Sequence, residues 1–280
     1  MPYFEYNSKK IYYKETGTGF PTIFLHGNTA SSKMFTNIIP LFSSNFHVVL
    51  LDFAGNGNSE RLDNFPADLW YEEALQVIRL IENKNYKKVN LIGTSGGALV
   101  AINVALERPD LINKIVADSF EGESALDSFA SNIQNDREAS KRIPKVKKFY
   151  QYDHGNDWES VIDNDTAAIK QHYITIKRFF HHALANLKCD VLFTGSREDV
   201  FMPGDFFEHT YDILIQKIGH GKKYIFQSGE HPAMISNATA FANLVTELKK
   251  NNVISCVRIA LCCPGAFLFL WGSLGPTWGC

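Results

Sequence analysis

Short apolar runs recur along the chain and alternate with segments of helical periodicity. The runs occupy residues 22–25, 48–51, 89–92, 115–117, 191–193 and 224–226. Runs that are apolar at nearly every position are typical of strands buried on both faces. Because these runs alternate with helices, the pattern predicts an α/β protein with a mostly parallel central sheet and helices on both of its faces.

An N-terminal hairpin and the helices between and after the runs complete this outline. Apolar segments 4–6 and 11–14 flank a polar turn, which predicts an N-terminal β-hairpin. Helical spacing of apolar residues then predicts helices over 67–83, 99–106, 206–218 and 238–248.

The alternation of strands and helices stops between Glu121 and Lys188. This interval is too long for one crossover, and it mixes charged residues with aromatic ones such as Trp158 and Phe179. Open sheets bind ligands at the carboxyl ends of their strands, so we interpret 121–188 as a helical cap inserted over that edge. An insertion that never contacts substrate is the alternative. The core then comprises residues 1–120 and 189–250.

Composition excludes several classes of function. The chain has 280 residues, a formal net charge of −2 and 45% apolar residues. It therefore lacks the basic surface that nucleic acids or anionic membranes attract. No basic segment leads into an apolar run at the start, so we expect no signal peptide and a cytoplasmic location. The five cysteines form no C-x-x-C pair, and we expect no metal and no cofactor.

The strongest chemical signal is the sequence Gly93-Thr94-Ser95-Gly96-Gly97, which lies between an apolar strand and an apolar helix. It matches G-x-S-x-G, in which a serine on a sharp strand-to-helix turn projects its hydroxyl above the sheet. The helix that follows points its N-terminus at this hydroxyl, which favours developing negative charge. Ser95 is therefore the predicted nucleophile. A chance glycine-rich turn is the alternative.

Two further motifs carry a resemblance to a known family. His26-Gly27-Asn28 follows an early strand, and residues 52–59 spell D-x-x-G-x-G-x-S. With the serine turn, these motifs resemble the α/β-hydrolase superfamily over residues 3–250. The resemblance implies the α/β-hydrolase fold and an oxyanion hole formed by the backbone N–H groups of Asn28 and Gly96. It also implies structural roles for His26 and for the loop 52–59.

A serine nucleophile needs a histidine base, and that histidine needs an orienting carboxylate. The family's chain order is serine, acid, histidine. His231 follows the last apolar run, in a loop that resembles the family's histidine loop, and is the predicted base. Asp199, four residues after Gly195, is the predicted acid. Asp118, at the end of an earlier strand, is the alternative acid, because some family members place theirs there.

These residues predict a serine hydrolase that cleaves carboxylic esters of small to medium apolar substrates through an acyl-enzyme. Lactone, C–C bond and amide hydrolysis use the same constellation and stay open. An aminopeptidase-type enzyme would bind an ammonium group, for which Glu121 and Glu123 are candidates. A ligand-binding receptor on a hydrolase fold is the alternative of another class. We expect a monomer or homodimer without a membrane span.

The segment 251–280 departs in composition from the rest of the chain. Arg258 is its only charged residue, and it holds four cysteines and two tryptophans. Its densest apolar run, 259–272, is shorter than the ~20 residues that span a bilayer, and Pro264 interrupts it. Because the predicted fold is complete near Lys250, truncation after that residue should leave kcat/KM unchanged and improve solubility. Ester turnover and a sedimentation assay test this, and an insoluble or inactive truncated protein would contradict it.

Overall fold

The computed structural model describes residues 2–250, and its centre is one sheet of eight strands. The predicted tail 251–280 lies outside the described residues. The strands are β1 (Tyr3–Tyr6), β2 (Lys9–Thr16), β3 (Pro21–Leu25), β4 (His47–Leu51), β5 (Val89–Thr94), β6 (Ile112–Asp118), β7 (Asp190–Ser196) and β8 (Lys222–Phe226). Their order across the sheet is β1-β2-β4-β3-β5-β6-β7-β8.

The strands pair as the apolar runs predict. The hairpin strand β2 is antiparallel to both β1 and β4, and every other neighbouring pair is parallel. Inner strands such as β3 and β6 are buried almost throughout, because helices cover both of their faces. This arrangement confirms the predicted α/β fold class.

Helices cover the sheet in two apolar layers. They are α1 (Leu69–Asn83), α2 (Gly96–Glu107), α3 (Asp127–Arg142), α4 (Pro144–His154), α5 (Trp158–Thr175), α6 (Phe206–Ile218), α7 (Ala233–Ser236) and α8 (Ala238–Lys250). One buried cluster joins the sheet to α1, α2 and α6, and a second joins it to α7, α8 and the segment 35–46. Helices α3, α4 and α5 all fall in the interval 121–188 predicted as an insertion. Within residues 2–250, no helix is long and apolar enough to cross a bilayer.

The strand order creates a crevice at one point of the sheet. Strand β3 pairs with β4 on one side and with β5 on the other. The chain leaves β3 towards β4, whereas it leaves β5 towards β6, so the two connections diverge above the carboxyl ends of these strands. Such a switch point is where ligands bind in open α/β sheets. The loop after β3 carries Asn28, and the turn after β5 carries Ser95.

Candidate active site

The turn between β5 and α2 has the geometry that the G-x-S-x-G motif predicts. Ser95 adopts φ +53° and ψ −125°, a strained conformation for a residue with a side chain. A Cβ added to Gly93 would collide with the carbonyl of Gly97. A Cβ added to Gly97 would collide with the carbonyl of Leu25 at the end of β3. Both glycines are therefore required for the backbone to turn this tightly beside β3.

The loop after β3 lies directly against this turn. A Cβ added to Gly27 would approach the Cβ of Ser95 to 2.9 Å. A Cβ added to Gly96 would collide with the side-chain oxygen of Asn28. Among residues 2–250, neither the N–H of Asn28 nor that of Gly96 donates to a protein acceptor. The two N–H groups predicted for the oxyanion hole thus belong to adjoining, closely packed segments beside Ser95.

His231 and Asp199 form a direct hydrogen bond. The Nδ1 of His231 lies 2.7 Å from Oδ2 of Asp199. Asp199 is fully buried, and its Oδ1 accepts from the N–H groups of Phe201 (2.9 Å) and Met202 (3.2 Å). An ionised carboxylate held in this way requires Nδ1 of the imidazole to be the donor, which leaves Nε2 free to accept a proton.

The hydrogen bond between Ser95 and His231 is not formed in this structure. Within residues 2–250, Ser95 Oγ forms no hydrogen bond with His231. In unliganded enzymes this contact is commonly long and tightens when substrate binds. The ring of Phe201 packs edge-on against His231 at a centroid distance of 5.0 Å.

Asp118, the alternative acid, is committed to other partners. Its carboxylate accepts hydrogen bonds from Thr94 Oγ1 (2.8 Å), Thr194 Oγ1 (2.6 Å) and the N–H of Met234 (3.1 Å). Its backbone carbonyl accepts from the N–H of Ser95 at 2.8 Å. Burial raises the pKa of Asp118, whereas these hydrogen bonds favour its ionised form. Asp118 thus joins β5, β6, β7 and α7, while His231 is bonded to Asp199 instead.

His26 is buried beneath the loop after β3. Its Nε2 accepts from the N–H of Phe53 at 3.2 Å, so its Nδ1 carries the proton and donates to the carbonyl of Gly27 at 2.9 Å. Desolvation lowers the pKa of His26 and keeps the ring neutral. In the loop 52–59, the carboxylate of Asp52 accepts backbone N–H groups 2.7 and 2.8 Å away. Both features therefore support the loops around Ser95.

The inserted helices place polar side chains against the loop after β3, which the sequence did not predict. Two of the histidines in the interval 121–188, His154 and His172, are buried. Nδ1 of His154 accepts from the N–H of Gly57, and its Nε2 donates to the carbonyl of Thr29, both at 3.1 Å. Its neighbour Asp153 accepts hydrogen bonds from the N–H and the hydroxyl of Ser31. The apolar periodicity of these helices does not distinguish such buried polar residues from exposed ones.

Of the two glutamates considered for binding an ammonium group, Glu123 already has an ionic partner. Glu123 forms an ion pair with Lys217. Glu121 is half-buried, and desolvation raises its pKa to about 7. Within residues 2–250, Glu121 has no ionic partner. Within residues 2–250, Glu121 and Glu123 therefore do not form a pair of carboxylates that could bind one ammonium group.

A cavity of about 260 Å³ lies at the opposite edge of the sheet, near Asn90, Lys114 and Asp190 at the amino ends of strands. Ligands of such sheets bind at the carboxyl ends instead. Among the residues that the structure describes, no group of three His, Cys, Asp or Glu side chains is placed to hold a metal ion.

Comparison with known proteins identifies the family to which this fold belongs. A family model described as the alpha/beta hydrolase fold matches residues 21–186. The chain belongs to the α/β-hydrolase family. Serine hydrolase BPHL of Homo sapiens is 25% identical over 257 residues, which are 86% of this chain and 83% of that protein.

Other relatives of this α/β hydrolase differ in their named reactions. The (E)-2-((N-methylformamido)methylene)succinate hydrolase of Acinetobacter baylyi is 33% identical over 110 residues, which are only 39% of this chain and 41% of that protein. The solved structure described as "Est816 as an N-Acyl homoserine lactone degrading enzyme" matches with a TM-score of 0.66 and 18% identity, over 88% of this chain and 99% of that one. The chain is a hydrolase of this family, and the names of these similar proteins do not point to one kind of bond.

The buried neighbours Asp153 and His154 predict opposing effects of pH on stability. Burial raises the pKa of Asp153 to about 7, above the ~3.9 of an unfolded aspartate. Its contribution to the free energy of unfolding is therefore lost as pH rises towards 7. Burial lowers the pKa of His154 to about 4, below the unfolded ~6.5, so its contribution is lost as pH falls below 6.5.

Each single variant should expose the effect of the remaining group. Between pH 4.5 and 6.5, Asp153→Asn should make the free energy of unfolding rise more steeply with pH than in the wild type. His154→Gln should make it rise less steeply or fall. Each change of slope is at most about 1.4 kcal/mol per pH unit, the value for one proton. Urea denaturation at three pH values measures the slopes, and three parallel lines would contradict the opposing pair.

Proposed function

We propose that the chain is a serine hydrolase that cleaves carboxylic esters of small to medium apolar substrates through an acyl-enzyme. The observation that carries the proposal is the 2.7 Å hydrogen bond between His231 and the buried Asp199, at the same edge of the sheet as the strained Ser95. The N–H groups of Asn28 and Gly96, which donate to no acceptor among residues 2–250, accompany this arrangement. The domain boundaries at 121 and 188, a cytoplasmic location and a monomeric or homodimeric state belong to the same proposal.

The mechanism follows from the residues and their hydrogen bonds. Nε2 of His231 removes the proton of the Ser95 hydroxyl as the serine oxygen attacks the ester carbonyl. Asp199 stabilises the imidazolium that forms. The N–H groups of Asn28 and Gly96 stabilise the oxyanion of the tetrahedral intermediate by several kcal/mol. His231 then protonates the departing alcohol, and water cleaves the acyl-enzyme with His231 acting again as base.

Other reactions on the same residues are the first alternative. The succinate-derivative hydrolase and the lactone-degrading enzyme among the similar proteins carry names that point to amide-like and lactone bonds. Lactones, amides and C–C bonds all pass through an oxyanion that this arrangement would stabilise. An aminopeptidase-type reaction has less support, because Glu123 is paired with Lys217. A ligand-binding receptor is the remaining class, and measurable ester turnover would exclude it.

Ser95→Ala should abolish ester turnover and leave the fold intact. Removing a triad nucleophile lowers kcat by a factor on the order of 10⁶. Hydrolysis of p-nitrophenyl acetate and butyrate measures the loss, and circular dichroism checks the fold. The matched control is Ser128→Ala, at an exposed serine of α3. A fluorophosphonate probe should label the wild type and the control at Ser95 alone. Unchanged turnover or labelling in Ser95→Ala would refute the assignment.

Asp199→Asn should lower kcat far more than Asp118→Asn. An asparagine at 199 would favour the wrong tautomer of His231, which lowers kcat by about 10⁴. Asp118 is bonded to threonine hydroxyls and a backbone N–H, so its substitution should act mainly on stability. Steady-state kinetics and thermal melts of the two variants separate these effects. A larger loss of kcat in Asp118→Asn would move the acid to the end of β6.

A further inference from the structure

A buried carboxylate of the inserted helices is bonded to the predicted oxyanion loop. Asp165 on α5 is 2% exposed. Its Oδ2 accepts from the side-chain nitrogen of Asn28 at 2.9 Å and from the N–H of Thr29 at 3.3 Å. At the other end of the same amide, Nε1 of Trp70 donates to Oδ1 of Asn28 at 3.1 Å. The side chain of Asn28 is therefore held from both sides, directly over Gly96.

The loop that receives these bonds is strained. Thr29 has a φ of +59°, in the left-handed region that β-branched residues rarely adopt. A conformation of this kind destabilises a loop by about 1–3 kcal/mol and persists only where surrounding contacts enforce it. Here the contacts come from the insertion, because Asp165 accepts the N–H of Thr29 and His154 donates to its carbonyl.

The surroundings of Asp165 act on its charge in opposite directions. Burial raises the pKa of Asp165, whereas the guanidinium of Arg137 on α3 and the N–H donors of Asn28 and Thr29 lower it. Glu73 on α1 is the other carboxyl near it, and burial raises the pKa of Glu73 well above its usual range. The two N–H donors of the loop and Arg137 therefore favour the form of Asp165 in which its Oδ2 accepts from Asn28 and Thr29.

We propose that Asp165 is a positioning residue of the oxyanion hole, which holds Asn28 and the strained Thr29 so that the N–H of Asn28 faces the reacting carbonyl beside Ser95. This inference rests on the proposed function. Asp165 acts through Asn28 and does not touch the substrate. Its contribution belongs to the transition state, because only there does the carbonyl oxygen carry the charge that the N–H stabilises.

Asp165→Asn is the variant that tests this role. It keeps the volume of the side chain and can place one oxygen where Oδ2 lies, but that oxygen carries no negative charge, so its hydrogen bonds to Asn28 and Thr29 are weaker. With p-nitrophenyl acetate, kcat per fluorophosphonate-titrated active site should fall by about 10- to 100-fold, because removing an oxyanion donor outright lowers it by 10²–10³. KM should change by less than about twofold, since ground-state binding does not use the oxyanion. Asp163→Asn, at an exposed carboxylate on the same helix, should match the wild type in both constants.

Binding of a transition-state mimic distinguishes positioning from a merely structural role. A trifluoromethyl ketone forms an oxyanion when the serine adds to it, so its affinity should fall in Asp165→Asn by the same factor as kcat. A structural role would lower Tm and leave kcat per titrated site and inhibitor affinity unchanged. Asn28→Ala removes the same hydrogen bond from the other end and should reproduce the pattern, including where Asp165→Asn fails to fold.

The outcomes separate this inference from the proposed function. The double variant Asn28→Ala/Asp165→Asn should lose clearly less than the product of the two single losses, because both act on one contact. If each foldable single variant keeps kcat per site and inhibitor affinity within twofold of the wild type, Asp165 does not position the oxyanion hole. A wild type that neither turns over esters nor reacts with fluorophosphonate would instead overturn the proposed function itself.

Discussion

Everything near Ser95 depends on how closely two backbones approach each other above the sheet. The start of α2 passes the end of β3 so tightly that a single methyl group on Gly97 would meet the carbonyl of Leu25. This contact forces the left-handed conformation of Ser95 and brings the loop at Gly27 against the serine side chain. The buried sheet and its helices maintain this strained conformation, because neither the start of α2 nor the end of β3 can move without opening the apolar core.

The parts of this arrangement that the sequence predicted correctly are those that follow from local pattern. Apolar runs predicted every parallel strand, since a strand covered on both faces has no polar side to display. The glycines around Ser95 predicted the sharp turn, because only residues without a side chain fit there. The pairing of His231 with Asp199 was predicted from chain order in the family, which the hydrogen bond of 2.7 Å supports.

Contacts between the insertion and the core could not be predicted from local sequence pattern. Asp153, His154 and Asp165 lie on helices whose apolar periodicity says little about which polar residues face inward. Each is buried because it meets a backbone N–H or carbonyl of a loop more than 90 residues away in sequence. A polar residue in an amphipathic helix is usually solvated, and only the tertiary arrangement distinguishes the exceptions.

The hydrogen bonds from α4 and α5 to the loop at Asn28 and Thr29 have a consequence for protein engineering. Inserted helices of this kind look modular, since they join the core through only two connections of the chain. In this protein, exchanging them for those of a relative would also replace the side chains that restrain a loop of the core. Attempts to alter selectivity by transplanting the insertion would therefore need to transfer or rebuild those polar anchors as well.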